Sequence, residues 1–172
     1  RGGVVDFEPK FLDEDNLILR LAGGSFGGKG RGIAFINTLL QTKELFEGIE
    51  NVSIKIPRTC VIGAEEYDNF INRHSLGGIH MVHTYEEVKQ IFLSKELSEE
   101  LTSRLRVYLD KVHTPLAVRS SGMFEDSISE SFSGIYQTFP LPNNHESINE
   151  RLKDLTDAIK LVYASIYSKH AR

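Results

Sequence analysis

The sequence predicts an α+β fold, a small sheet packed with helices, and three observations predict it. Short, β-compatible apolar stretches recur between turn residues: LILRL at 17–21, TCVIG at 59–63, LAVRS at 116–120 and YQTFPL at 136–141. Longer segments between and after them carry apolar residues at every third or fourth position, the period of a helix with one buried face. A glycine cluster, AGGSFGGKGRG at 22–32, breaks the first strand and hands the chain to a helix.

Taken in order, the glycines are followed by IAFINTLL at 33–40, apolar nearly all round, which predicts a buried helix. Pro57 introduces the strand TCVIG, and Tyr67, Phe70 and Ile71 then fall at helical spacing. Thr84 and Glu87 spell a capping box, and Ser98 is a second N-cap. They open helices that carry Val88, Ile91 and Phe92, then Leu101, Leu105, Tyr108 and Val112. Pro115 ends the second of these, and LAVRS and YQTFPL follow as strands on either side of a serine-rich stretch. Ser147 and Glu150 predict a second capping box, opening a helix with Ile148, Leu152, Leu155, Ile159, Val162 and Ile166 that runs to the end of the chain.

Bulk properties narrow the function classes. The chain has 172 residues, 40% apolar and 26% charged, enough for one domain with a real core. No apolar run approaches the roughly 20 residues of a membrane-spanning helix. Its 20 basic and 24 acidic side chains give a net charge of −4 with no long block of either sign, so no nucleic-acid or lipid footprint is expected. One cysteine, Cys60, excludes an internal disulfide framework and fits a reducing, cytoplasmic compartment; inside an apolar strand it reads as a small hydrophobe. The six histidines include His80 and His83 around Met81 and Val82, but without cysteines or a third ligand they read as surface residues, and no metal site is expected. Tyr163 and Tyr167, at helical spacing, read as packing residues. Arg1 stands where an initiator Met would, with no apolar signal segment behind it, so the chain is expected to be a piece of a longer polypeptide.

Two loops have the make-up of phosphate sites. Gly23 to Gly30 nearly spells the pattern G-x-x-x-x-G-K-[ST], with Gly23, Gly28 and Lys29 in place but Gly30 where a hydroxyl belongs. The dinucleotide pattern fails too, because Phe35 stands where Gly30 and Gly32 call for a third glycine. What remains is a cationic glycine loop with Lys29 at its tip and Arg31 beside it, or, on the cluster alone, a flexible turn with solvated basic residues. The second loop concentrates polar residues behind an apolar strand: LAVRSSGMFEDSISESFSG, 116–134, holds one arginine, six serines and three carboxylates. Arg119 at the strand end offers a rigid fork of donors for phosphate oxygens, with Ser120, Ser121 and Gly122 around it. Glu125, Asp126 and Glu130 would repel an anion, and are read as capping the loop, pairing with basic residues, or facing solvent or metal.

AVRSSGMFEDSISESFSGIYQTF (117–139) resembles the arginine loop of the nucleotide-binding domain in the phosphoenolpyruvate synthase and pyruvate phosphate dikinase family. GGKG (27–30) is similar to that family's lysine loop, IPRTCVIGAEEYDNFI (56–71) to its Val-Pro-x-Gly-Phe-Val-Ile segment, and VYASIYSKHAR (162–172) to the helix near the end of its first half. The resemblance implies the N-terminal part of an ATP-grasp-like nucleotide-binding domain over 23–172, with 1–22 as an unassigned N-terminal extension. It implies that ATP donates a phosphoryl group to a histidine on a separate domain, from which it reaches pyruvate. Carried over by position, Lys29 with Gly27, Gly28 and Gly30 contacts ATP phosphates, Arg119 holds the transferred group, and Ser120, Ser121 and Gly134 line the pocket. Mg²⁺, held by ligands outside this stretch, and the phosphohistidine and pyruvate-binding domains of the parent chain are implied as cofactor and partners. Arg58, Ile135 and Tyr136 depart from the family's pattern at positions that bear on base and ribose rather than phosphate. A dikinase with another acceptor, a glucan or an antibiotic, and a degenerate nucleotide-sensing domain are the alternatives.

Overall fold

The computed structural model describes residues 3–14, 17–41, 54–121 and 138–168. In chain order these form β1 (Val4–Asp6), a 3₁₀ turn (Pro9–Asp13), β2 (Ile18–Ala22), α1 (Gly27–Leu40), β3 (Thr59–Ile62), α2 (Ala64–Arg73), a 3₁₀ turn (Ile79–Met81), α3 (Tyr85–Leu93), α4 (Glu99–Lys111), β4 (Leu116–Arg119), β5 (Thr138–Leu141) and α5 (Ile148–Ser165). The fold is α+β, as the alternation of short strands and helical periods predicts.

β1, β2 and β3 make a parallel sheet with β2 in the middle, Val4 opposite Ile18 and Leu19 opposite Cys60. β2 is the most deeply covered strand, with Ile18, Leu19 and Leu21 buried. At the sheet edge Arg20 Nε donates to Asp6 Oδ1 at 2.7 Å. Two of the three strands therefore come from residues preceding the glycine cluster. β4 and β5 form a separate antiparallel ribbon packed on α5.

The core lies among α2, α3, α4 and α5. Phe70 and Phe92 are fully buried with ring centroids 5.4 Å apart, and Tyr163 meets Tyr67 edge-on at 5.3 Å. Tyr67 and Tyr167 share a hydroxyl hydrogen bond of 3.1 Å, and Tyr167 meets Phe92 edge-on at 5.9 Å, so Tyr163 and Tyr167, read as packing residues, both pack. Leu101, Leu105 and Tyr108 are buried on one face of α4, as their spacing requires, and Val112, which the spacing put on the same helix, is its extended C-cap and is buried too. Two buried cations close helix ends: Lys160 donates to Leu93 O at the end of α3 (2.9 Å), and Arg151 donates to Leu109 O near the end of α4 (2.9 Å).

The capping box at Thr84 and Glu87 forms completely, and the Ser98 side chain accepts from the Leu101 amide. The box expected at Ser147 and Glu150 does not form. Ser147 is the N-cap, but its side chain makes no capping bond, and its own amide donates to His145 Nδ1 at 3.0 Å, the place a Glu150 carboxylate would have taken. α5 also stops at Ser165 instead of running to the chain end, and residues 169–172 lie outside the described residues. The helix predicted from Ile33 begins earlier, at Gly27, and is not buried all round: Phe35, Ile36 and Leu39 are exposed, Phe35 by 64%. An all-apolar stretch signals burial only if every face is covered, and these three side chains stay exposed.

Cys60 sits half-buried in β3, where burial pushes its thiol up to about 12 against the opposing pull of Arg58 and a hydrogen bond with Tyr108. It stays a thiol near neutral pH, in keeping with a packing role.

Candidate nucleotide-phosphate site

The site begins where β2 ends. Gly23 and Gly24 turn the chain across the start of α2, and Gly24 holds φ +89°, a conformation open to glycine. The turn is pinned on both sides: the Ala64 amide donates to Ser25 O at 2.7 Å, and the Gly63 amide to Ala22 O at 3.1 Å. Loop carbonyls thus cap α2, and the glycine segment is held in place by backbone bonds rather than being a loose turn.

α1 then starts at Gly27, which also has positive φ, +69°. Gly27, Gly28, Lys29 and Gly30 are its first turn, so Lys29 stands at a helix N-terminus, where the helix dipole favours an anion. The lysine placed at the tip of a loop is therefore inside the helix. Lys29 and Arg31 are two positions apart, about 200° around the helix, so their side chains leave from opposite sides. Arg31 is exposed, whereas Lys29 is half-buried.

The second loop comes to this same helix start. Ser121, two residues past the end of β4, accepts from the Gly30 amide with its Oγ at 2.8 Å and donates to Phe26 O at 2.7 Å. A Cβ on Gly27 would collide with the Ser121 carbonyl oxygen, which shows how closely the two backbones approach. Position 30, where the nucleotide-loop pattern calls for a hydroxyl, instead receives one from Ser121, and a side chain there would press on the Phe26 ring at 2.8 Å. Arg119, paired with Thr138 across the ribbon, is exposed at the end of β4, and Ser120 lies half-buried between it and Ser121. Ser121 thereby brings the chain that follows β4 against the first turn of α1, Gly27, Gly28, Lys29 and Gly30, with Ser120 and Arg119 the next two residues back along the strand. Gly122, Glu125, Asp126, Glu130, Gly134, Ile135 and Tyr136 lie outside the described residues.

Beside the glycine turn opens a polar cleft of about 240 Å³ that sequence reading did not single out, lined by Gly23, Glu65, Asn69, Ser98, Glu100 and Arg104 among others. Arg104 donates to Leu21 O at 2.6 Å and pairs with Glu100 at 2.5 Å, and the buried Glu66 carboxylate accepts from the Ser98 amide and hydroxyl at 3.0 and 2.8 Å. With Glu65, Glu66 and Glu100 in its lining and its one guanidinium engaged by a carboxylate, the cleft disfavours anions. Glu65 and Glu66 mark the first turn of α2 by composition, but the bond of Glu66 to Ser98 across 32 residues has no local signal.

The chain matches the family model described as the pyruvate phosphate dikinase AMP/ATP-binding domain over residues 24–172, a stretch containing both loops. The chain belongs to this family. Comparisons with curated proteins and with solved structures give no match. As a pyruvate phosphate dikinase AMP/ATP-binding domain the chain binds adenine nucleotide, and the resemblance seen in its lysine and arginine loops is that of its family. Among the described residues no three His, Cys, Asp or Glu side chains are grouped to hold a metal. Nor does any described helix have the length and apolarity to cross a membrane.

Proposed function

We propose that this chain is the phosphate-binding portion of a phosphoenolpyruvate synthase-like phosphotransferase, which passes a phosphoryl group from ATP, through a histidine on another domain, to pyruvate. The observation that carries the reading is the Ser121 bridge, which ties the arginine loop to the first turn of the lysine helix. Within it, the positive end of the α1 dipole and Lys29 hold the ATP phosphates in the ground state, and the Arg119 fork meets the oxygens of the group in transfer. Ser120 and Ser121 wall the pocket between them, with Gly134 assigned to the same pocket by resemblance. Mg²⁺ and the accepting histidine belong to other parts of the parent protein in this reading.

The overall reaction converts ATP, pyruvate and water to AMP, phosphoenolpyruvate and phosphate. Phosphorus NMR of the full-length protein with ATP and pyruvate is expected to show these three products and an acid-labile phosphohistidine. ADP as the accumulating product, or turnover indifferent to pyruvate, would reject the acceptor.

The opposed directions of Lys29 and Arg31 give a second expectation. Lys29→Ala weakens ATP binding by about tenfold, the worth of one charge-assisted phosphate contact, while Arg31→Ala changes it less than about twofold. Calorimetric titration of both variants with ATP measures this, and equal losses would mean that the helix start is not aimed at the nucleotide.

A further inference from the structure

The ribbon that carries Arg119 has an unusual root. Continuing the register of Leu116 opposite Leu141 outward by one step sets Pro115 opposite Pro142, and by two steps Thr114 opposite Asn143. Two facing prolines offer no amide, so the backbone ladder ends there. The Asn143 side chain takes over: its Nδ2 donates to Val112 O at 2.8 Å and to Thr114 O at 3.0 Å. Asn143 adopts φ +54°, a left-handed conformation that asparagine tolerates better than most residues, and is buried.

Arg151 of α5 completes the joint. Its Nη1 donates to Leu109 O and Val112 O at 2.9 and 3.3 Å, and lies 3.4 Å from Asn143 Oδ1. The end of α4, the start of β4, the end of β5 and the first turns of α5 thus meet on two buried side chains. At the opposite end of the ribbon stands Arg119, and two residues beyond it Ser121 bridges to the start of α1. A short antiparallel ribbon with both ends fixed holds its terminal side chains in one place, whereas one loose at the root pivots about its remaining anchor.

From this geometry we infer that Asn143, seated against Arg151, is a positioning residue for Arg119: it fixes the root of the β4–β5 ribbon and through it the placement of the guanidinium. The inference rests on the assignment of Arg119 to the phosphoryl group. Asn143 touches neither nucleotide nor acceptor, and acts by removing a pivot.

The test is a double-mutant cycle in the full-length protein. Asn143→Gly keeps the left-handed backbone and removes both donors. It is expected to lower the phosphoryl-transfer rate by about tenfold or more at an unchanged KM for ATP, since a small misplacement of a catalytic group costs rate rather than ground-state affinity. In the Arg119→Lys background the same change is expected to cost less than about twofold, because the fork it positions is gone. A full tenfold loss in both backgrounds, or none in either, overturns the inference. Amide hydrogen exchange reads the clamp independently of activity: Asn143→Gly is expected to speed exchange along the β4–β5 ladder by about tenfold while α5 core amides keep their protection. Uniform loosening of ribbon and α5 would reduce Asn143 to a general stabiliser. If Arg119→Lys proves fully active while ribbon exchange still rises, the assignment of Arg119 fails and the clamp stands as a ribbon anchor only, which also overturns the positioning role. Should Asn143→Gly not fold, Asn143→Asp, which keeps an acceptor for Arg151 but loses both donors, is read in the same way.

Discussion

Arg119→Lys is expected to lower phosphoryl transfer in the full-length protein by about two orders of magnitude or more, with the melting temperature unchanged. Lysine keeps the charge but loses the planar fork, so bidentate contact with the moving group's oxygens is lost while long-range attraction persists. Losses of this size, about 3 kcal/mol, are typical when one preorganised donor is removed from developing charge. The structure separates this from a folding effect. Arg119 is exposed at a strand end, and the neighbouring contact that does tie the loop down, Ser121 to Gly30 and Phe26, involves neither its charge nor its length. Rapid-quench measurement of phosphohistidine formation, alongside thermal denaturation, tests it. Wild-type transfer with an unchanged melting curve would remove Arg119 from the chemistry, and a parallel fall in both would assign it to the fold.

How far the site was legible in the sequence depended on whether its parts interact locally. Helices with one buried stripe announced themselves, and Leu101, Leu105, Tyr108 and Val112 are buried where their spacing puts them. Local caps were readable at Thr84 and Ser98, but at Ser147 a neighbouring imidazole took the amide that the box would have used. The composition of each phosphate loop was legible, because glycines, a lysine and an arginine are chemical requirements visible one at a time. Their meeting was not: the Ser121 to Gly30 bond joins positions 91 apart in the chain. β1 went unread for a different reason, being three residues long and too short for any period to show. The buried cations were hidden by chemistry. Arg151 and Lys160 count as polar in any pattern, yet their aliphatic stems lie within the packing and their heads replace water on helix-end carbonyls.

Two glycines in the same helix, Gly27 and Gly32, are expected to respond to alanine in opposite directions. At Gly27 the substitution meets two costs: φ is +69°, which an L side chain adopts at about 1–2 kcal/mol, and the new Cβ collides with the Ser121 carbonyl. The carbonyl belongs to backbone and cannot swing aside, so the first turn of α1 and the arginine loop must part. With them goes the hydroxyl bridge between Gly30 and Phe26. Gly27→Ala should therefore lose about 2 kcal/mol of stability, a fall in melting temperature of about 4–8 °C, and about ten- to a hundredfold in ATP affinity as the two halves of the phosphate site separate. At Gly32, one turn along, a Cβ meets nothing within 4 Å and the backbone is ordinary helix. Gly32→Ala should gain up to about 1 kcal/mol from helix propensity and leave ATP binding unchanged. Calorimetry and thermal melts on the pair decide the matter, each glycine serving as control for the other. If both variants bind ATP as the unaltered protein does, the close approach of the two loops is not what the nucleotide needs, and the phosphate site must be sought away from the start of α1.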